Sequence, residues 1–269
     1  MNFRYGWFAV GQLLDQFSEK LAAAGKSMEV VIRLRSSHLE NERPIWIREP
    51  RNIANASNLV VFLDGELYRD HVDVSTVIED LQGEIADAWF VFVSAGSPEA
   101  RRLECPCYPP FSRFIAEELL PYLENTHIDF NQVRRRTLAG LSYTGLAAAS
   151  VAKDFPAAFQ RVISQSGSFW WNDCWLVEEF RRLNSRIPVE FYLDVGSREI
   201  YENVDHGYVL QVVSQIEGVR RFRDVLANLG HSVMYQEFEG DHDYKCWNKT
   251  LSDALRWCLP PEPKAINSN

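Results

Sequence analysis

The 269-residue chain has only five cysteines, Cys105, Cys107, Cys174, Cys246 and Cys258. An odd, sparse set in a chain this long is not a disulfide framework. Cys105-Pro106-Cys107 has no second pair at zinc-finger spacing, so we expect reduced thiols in or near the core, no protein-held metal and no cofactor. Basic charge is also scarce, with 28 Lys and Arg against 37 Asp and Glu and a net charge of −9. The one basic run, Arg134-Arg135-Arg136, stands where a strand begins, and a nucleic-acid partner needs a basic face. No apolar run reaches the roughly 18 residues that span a bilayer. The N-terminus lacks the continuous apolar core and small-residue cleavage site of a signal peptide, and the chain reads as cytoplasmic. Repeats, low-complexity tracts and an interdomain linker are missing as well.

What is present is a globular composition, 46% hydrophobic, of a size that fits one large α/β domain. Residues 7–24 place Phe8, Leu13, Leu14, Phe17 and Leu21 near helical spacing, so residues 1–27 read as an amphipathic helical extension. The segments 27–36 and 43–50 alternate like two antiparallel strands. Six short apolar runs follow, at 58–65, 88–96, 136–140, 159–168, 187–197 and 232–240. Helical stretches come after them at about 71–82, 111–125, 143–153, 171–183, 207–229 and 247–259. The pattern predicts an eight-stranded, mostly parallel sheet with helices on both faces over 28–259, and a proline-containing tail at 260–269.

Ligands of such sheets sit beyond the carboxyl ends of the strands. Those ends carry Asp64-Gly65-Glu66, then Ser142, then Gly196-Ser197-Arg198-Glu199, then Gly240-Asp241-His242-Asp243. A hydroxyl, a carboxylate and an imidazole thus appear in the order Ser, acid, His, each after a strand, as in the α/β-hydrolase arrangement. A serine hydroxyl needs an adjacent base to act as a nucleophile, imidazole suits that task, and a carboxylate holds its tautomer. Ser142, His242 and Glu199 are the candidates, with Asp194 inside the seventh strand as the rival acid. Oxyanion donors are expected from the backbone N–H of Tyr143 and of Gly65 or Glu66. The nucleophile turn departs from G-x-S-x-G: Gly140 is in place, but Thr144 stands where the second glycine belongs, and Gly145 follows it.

The stretches "FLDGELY", "RRLECPC", "AEELLPYL", "AGLSYTGLAA", "SQSGSFWW", "LDVGSRE" and "GDHDYKCW" resemble the esterase family of α/β-hydrolases that includes the catalytic domain of enterochelin esterase. The resemblance runs from about 29 to 258. It implies a serine esterase acting on ferric catecholate siderophores, with Ser142 as nucleophile, His242 as base and any iron arriving with the substrate. It further implies that Arg101 contacts an anionic substrate and that Trp170 and Trp171 wall the cleft, core packing being the other reading of the two tryptophans. Two departures from the family stand out besides the length of the N-terminal part. Thr144 replaces a usual glycine, and Asp241 precedes His242 where the family usually has Gly-Gly-His. Other readings therefore stay open: an esterase, thioesterase or acyltransferase on another acyl group, or a binding protein without turnover. The substrate is in each case a small molecule, and neither a membrane partner nor an oligomeric state is legible.

Overall fold

The structure, a computed structural model, describes residues 29–261. The expected N-terminal helix and most of the tail lie outside the described residues. The main sheet holds β1 (Glu29–Arg35), β2 (Glu42–Arg48), β3 (Asn58–Leu63), β4 (Ala88–Val93), β5 (Arg135–Leu141), β6 (Arg161–Gln165), β7 (Glu190–Gly196) and β10 (Val233–Phe238). Its spatial order is β1-β2-β4-β3-β5-β6-β7-β10. β1 pairs antiparallel with β2, and β2 antiparallel with β4; all other neighbours in the sheet run parallel. This is the α/β-hydrolase fold expected from the alternation.

The helices, in chain order, are α1 (Gly65–Asp70), α2 (Val74–Asp80), α3 (Pro98–Glu104), α4 (Pro109–Arg113), α5 (Leu120–Thr126), α6 (Tyr143–Asp154), α7 (Trp171–Arg181), α8 (Gln215–Asn228) and α9 (Tyr244–Cys258). A π-helical stretch, Phe114–Leu119, joins α4 to α5. Because side chains alternate along a strand, β3 feeds two cores. Leu59, Val61 and Leu63 enter one apolar cluster with Leu146, Leu176 and Phe222. Val60 and Phe62 enter a second with Tyr68, Ile78, Trp247 and Leu255. All six residues of β3 and of β4 are buried, the pattern of strands covered on both faces. Each such buried aliphatic or aromatic side chain contributes about 1.5–3 kcal/mol relative to exposure.

Two expectations needed correction. The helix expected at about 71–82 is α2, shorter than expected, and a further short helix, α1, precedes it from Gly65, with Asp73, at φ 56°, between the two. The long helix at 207–229 is only α8, Gln215–Asn228. The residues before it form a small hairpin of β8 (Val204–Asp205) with β9 (Leu210–Gln211). Gly207, at φ +80°, supplies the turn that a helix could not contain. Its strands are too short for periodicity to register them.

Candidate active site

Strands β3 and β5 are parallel neighbours, so Phe62 pairs with Ala139 and their carboxyl ends lie side by side. Beyond β5 the chain turns sharply into α6 at Ser142, whose φ of 53° and ψ of −120° lie outside the ordinary regions for a side-chain-bearing residue. The turn is held at both ends. Ser142 N–H donates to the Gln165 carbonyl at 2.9 Å, and its own carbonyl accepts from Ser168 N–H at 3.0 Å. Gly140 is obligatory here, because a Cβ would stand 2.1 Å from the Thr144 carbonyl oxygen. Gly145 supplies the close approach to β6: a Cβ would stand 2.7 Å from Ser164 Oγ and 3.1 Å from Gly167 Cα. Thr144 itself, between these two glycines in sequence, is fully buried.

The Ser142 hydroxyl lies 3.0 Å from His242 Nε2. On the other side of the ring, Nδ1 lies 2.6 Å from Glu199 Oε2. Glu199 is buried, and its other oxygen, Oε1, accepts from Ser166 Oγ at 2.6 Å and from Gly196 N–H at 2.7 Å. Trp247 Nε1 donates to the same Ser166 hydroxyl at 3.0 Å, and the indole meets the imidazole edge-on with centroids 4.8 Å apart. An indole N–H only donates, so Ser166 accepts from it and turns its own proton onto Glu199. With Ser166, Gly196 and His242 around it, the Glu199 carboxyl group is fixed in place against the imidazole.

Asp194, the rival acid, sits in β7 with no exposure, and one of its oxygens accepts from Ser166 N–H at 3.1 Å. Burial pushes its carboxyl up to about 7. The loop position of Glu199, three residues past the strand, is what brings it to the ring. Asp241 pairs instead with Arg198 at 3.0 Å, and Asp243 caps α9 by accepting from Cys246 N–H at 2.9 Å. His231 closes the end of α8: after Gly230, at φ +82°, its N–H reaches the Leu226 carbonyl at 3.0 Å and Nδ1 bonds the Val189 carbonyl. Burial pushes the Cys107 and Cys258 thiols up to about 12, away from the reactive thiolate form. Among the described residues, no group of three or more His, Cys, Asp and Glu could hold a metal ion, and no helix is long and apolar enough to cross a membrane.

Two clefts meet at Ser142, His242 and Arg101. One, of about 530 Å³, is bounded by Asp64, Glu66, Leu67, Tyr244 and Trp247. The other, of about 350 Å³, is bounded by Tyr143, Trp170, Tyr201, His206 and Tyr208, the last two from the β8–β9 hairpin. Tyr143 and Gly65 begin α6 and α1, and the leading N–H groups of a helix have no intrahelical acceptor. The Glu66 side chain is bonded to Ser94 Oγ and to Ala95 N–H, holding the end of β4. Arg101 grips Asp64 with Nε at 2.8 Å and Nη2 at 2.6 Å. Burial works against its charge, but the Asp64 carboxylate more than offsets this and holds the guanidinium above its usual value. Trp170 belongs to both readings given above. It is buried in the larger core, stacks on His206 at 5.3 Å and walls the second cleft. Trp171 borders neither of these two clefts and is half-buried against the larger core at the start of α7, the core-packing reading given above.

Ser166, Ser168, Trp247 and Tyr208 join this site without having been singled out. Ser166 and Ser168 follow an apolar run, as Ser142 does, and that position was the available signal. Trp247 and Tyr208 had none, because their places depend on how α9 and the hairpin dock.

The profile of the esterase family, described as Putative esterase, matches residues 36–258. The Iron(III) enterobactin esterase of Dickeya dadantii (strain 3937) is 28% identical over 245 residues, covering 88% of this chain and 56% of that protein. The enterobactin esterase from Shigella flexneri, solved in the presence of enterobactin, aligns with a TM-score of 0.72 at 25% identity, over 85% of this chain and 58% of that one. The BES protein from Bacillus cereus shares the fold, with a TM-score of 0.67 at 21% identity, over 87% of this chain and 96% of its own. The chain spans about half the length of the curated relatives it matches. With a profile matching most of its length and a mostly parallel eight-stranded sheet, the chain belongs to the esterase family of α/β-hydrolases.

Proposed function

We propose that this protein is a serine carboxylic-ester hydrolase acting through an acyl-enzyme on siderophore-type, enterochelin-like esters. The observation that carries the reading is the unbroken line from Ser142 Oγ to His242 at 3.0 Å and from His242 to Glu199 at 2.6 Å. In the first step Ser142 Oγ bonds to the ester carbonyl carbon and its proton passes to His242 Nε2. The carbonyl π pair moves onto oxygen, where the N–H groups of Tyr143 and of Gly65 or Glu66 stabilise it. Collapse breaks the C–O bond, and His242 returns the proton to the departing alkoxide. Water then repeats the sequence on the acyl-enzyme, with His242 as base. Glu199, at 2.6 Å from Nδ1, holds the ring in place and faces the imidazolium as it forms.

The substrate class rests on the relatives named enterobactin esterase and on the two clefts, which leave room on both sides of the scissile bond. Arg101 borders both clefts and is the candidate contact for substrate anions, while Trp170 walls one of them. One observation favours a second reading, an esterase, thioesterase or acyltransferase on a less charged acyl group. The Arg101 charge is already matched by Asp64 at 2.6 Å, which weakens the attraction it offers a polyanion. The free state of all five cysteines suits a reducing cytoplasm.

The test is peptide mapping after a fluorophosphonate, alongside turnover of ferric enterobactin and p-nitrophenyl acetate. Labelling at Ser142 with preferential turnover of ferric enterobactin supports the reading. Preferential turnover of the acetate moves the second reading forward, and an unlabelled, folded protein removes the serine mechanism.

A further inference from the structure

The residue that breaks the elbow pattern makes contacts that a glycine could not. Thr144 Oγ1 accepts from Leu141 N–H at 3.0 Å, directly before Ser142. It also lies 2.8 Å from the Leu141 carbonyl and 2.9 Å from Asp64 Oδ2, so its single proton is available to both. Asp64 is 1% exposed and sits at φ 59°, ψ 47°, a left-handed conformation immediately before Gly65. Its carboxylate is fixed from the other side by Arg101, through both oxygens. Gly65 has no lateral freedom either, since a Cβ there would stand 2.9 Å from the backbone of Phe92 and Val93.

The candidate oxyanion donors belong to Tyr143, next to Thr144, and to Gly65 or Glu66, next to Asp64. They come from two loops about 80 residues apart in sequence, and the sheet alone fixes only where those loops begin. The Thr144–Asp64 bond is the cross-link between the loops at the level of the donors. We infer that Thr144 and Asp64 are positioning residues, a buried strut that sets the separation of the two halves of the oxyanion hole. Arg101 locks the strut as well as bordering the substrate. The inference rests on the serine-esterase reading, since it assigns the strut to that reaction's oxyanion.

A strut of this kind acts on the developing negative oxygen and not on the nucleophile. The readout is therefore the ratio of kcat/KM for an ester to kcat/KM for its thionoester, in which the charge develops on the larger, weaker acceptor sulfur. Donors held at the spacing for oxygen favour the ester; donors let loose favour it less. A displaced nucleophile or a general loss of stability lowers both rates together and leaves the ratio alone.

The chain, Thr144→Val, Thr144→Gly and Thr144→Ser are compared, a separate portion of each being labelled with a fluorophosphonate. Losing one oxyanion donor outright costs about 10²–10³ in kcat, and loosening one should lower the ester-to-thionoester ratio about tenfold in Thr144→Val. Thr144→Gly, which adds no bulk should the valine variant fail to fold, gives the same fall. Thr144→Ser, which keeps the hydroxyl, restores the ratio. A ratio within about twofold of the parent in both Val and Gly variants, with Ser142 labelled, overturns the strut and leaves the esterase reading standing. A loss in Thr144→Ser equal to that in Thr144→Val also overturns it. A parent chain that is not labelled at Ser142 overturns both.

Discussion

The Ser166 hydroxyl donates to Glu199 Oε1 at 2.6 Å, behind the carboxylate oxygen that meets His242. Ser166 thus orients the acid as the acid orients the imidazole. Ser166→Ala should lower kcat/KM about tenfold at neutral pH, the worth of one hydrogen bond to a charged group. Trp247→Phe, which frees the Ser166 proton to turn away, should lower kcat/KM by less. An unchanged kcat/KM in both variants would remove Ser166 from this role.

Ser142→Ala should retain the fold, because the turn is held by backbone bonds to Gln165 and Ser168 and not by the hydroxyl. Ester turnover and fluorophosphonate labelling should both vanish. Circular dichroism and mass spectrometry check the two halves of this expectation, and unchanged turnover would sink the assignment of the nucleophile.

Arg101→Ala leaves the Asp64 carboxylate, with no exposed side-chain surface, without its cation. Breaking a buried pair from one side should cost about 3 kcal/mol of stability, measured by urea denaturation. If Arg101 also receives substrate, the surviving folded enzyme should show a larger rise in KM for catecholate esters than for small neutral ones. Equal changes in KM would confine Arg101 to the strut.

Asp194 contributes a pH dependence of the opposite kind to a salt-bridged acid. Its carboxyl is pushed up to about 7 by burial, so the folded state binds a proton that the unfolded chain releases near the ordinary aspartate value. Stability therefore falls as pH rises between those two values. Asp194→Asn should melt higher than the parent at pH 8, and the difference should shrink toward zero by about pH 4. A difference in Tm that is constant across that range would contradict the assignment.

Gly140→Ala should fail to give folded protein, since the added methyl would stand 2.1 Å from the Thr144 carbonyl oxygen, a backbone atom that cannot move aside. Gly145→Ala should be milder, because Ser164 Oγ, its nearest neighbour, can rotate away. Yields of soluble protein and thermal melts check the ordering.

The eight strands of the main sheet, its antiparallel start, its parallel remainder and the order Ser142, Glu199, His242 were all legible in the chain. Each depends on local periodicity, on short apolar runs, or on polar residues standing immediately after those runs. The roles of Asp64, Ser166, Trp247 and Tyr208 were not legible, nor was the β8–β9 hairpin. Trp170 and Trp171 show why: adjacent in sequence and identical in type, one walls a cleft and the other packs on the core. Thr144 shows it again, reading as a poor substitute for glycine until Asp64, 80 positions away, is found 2.9 Å from its hydroxyl. Periodicity states which face of an element is apolar and where a loop begins. Which polar atoms then meet is decided by how separate elements dock, and that is the sum of many small packing terms spread over the whole chain.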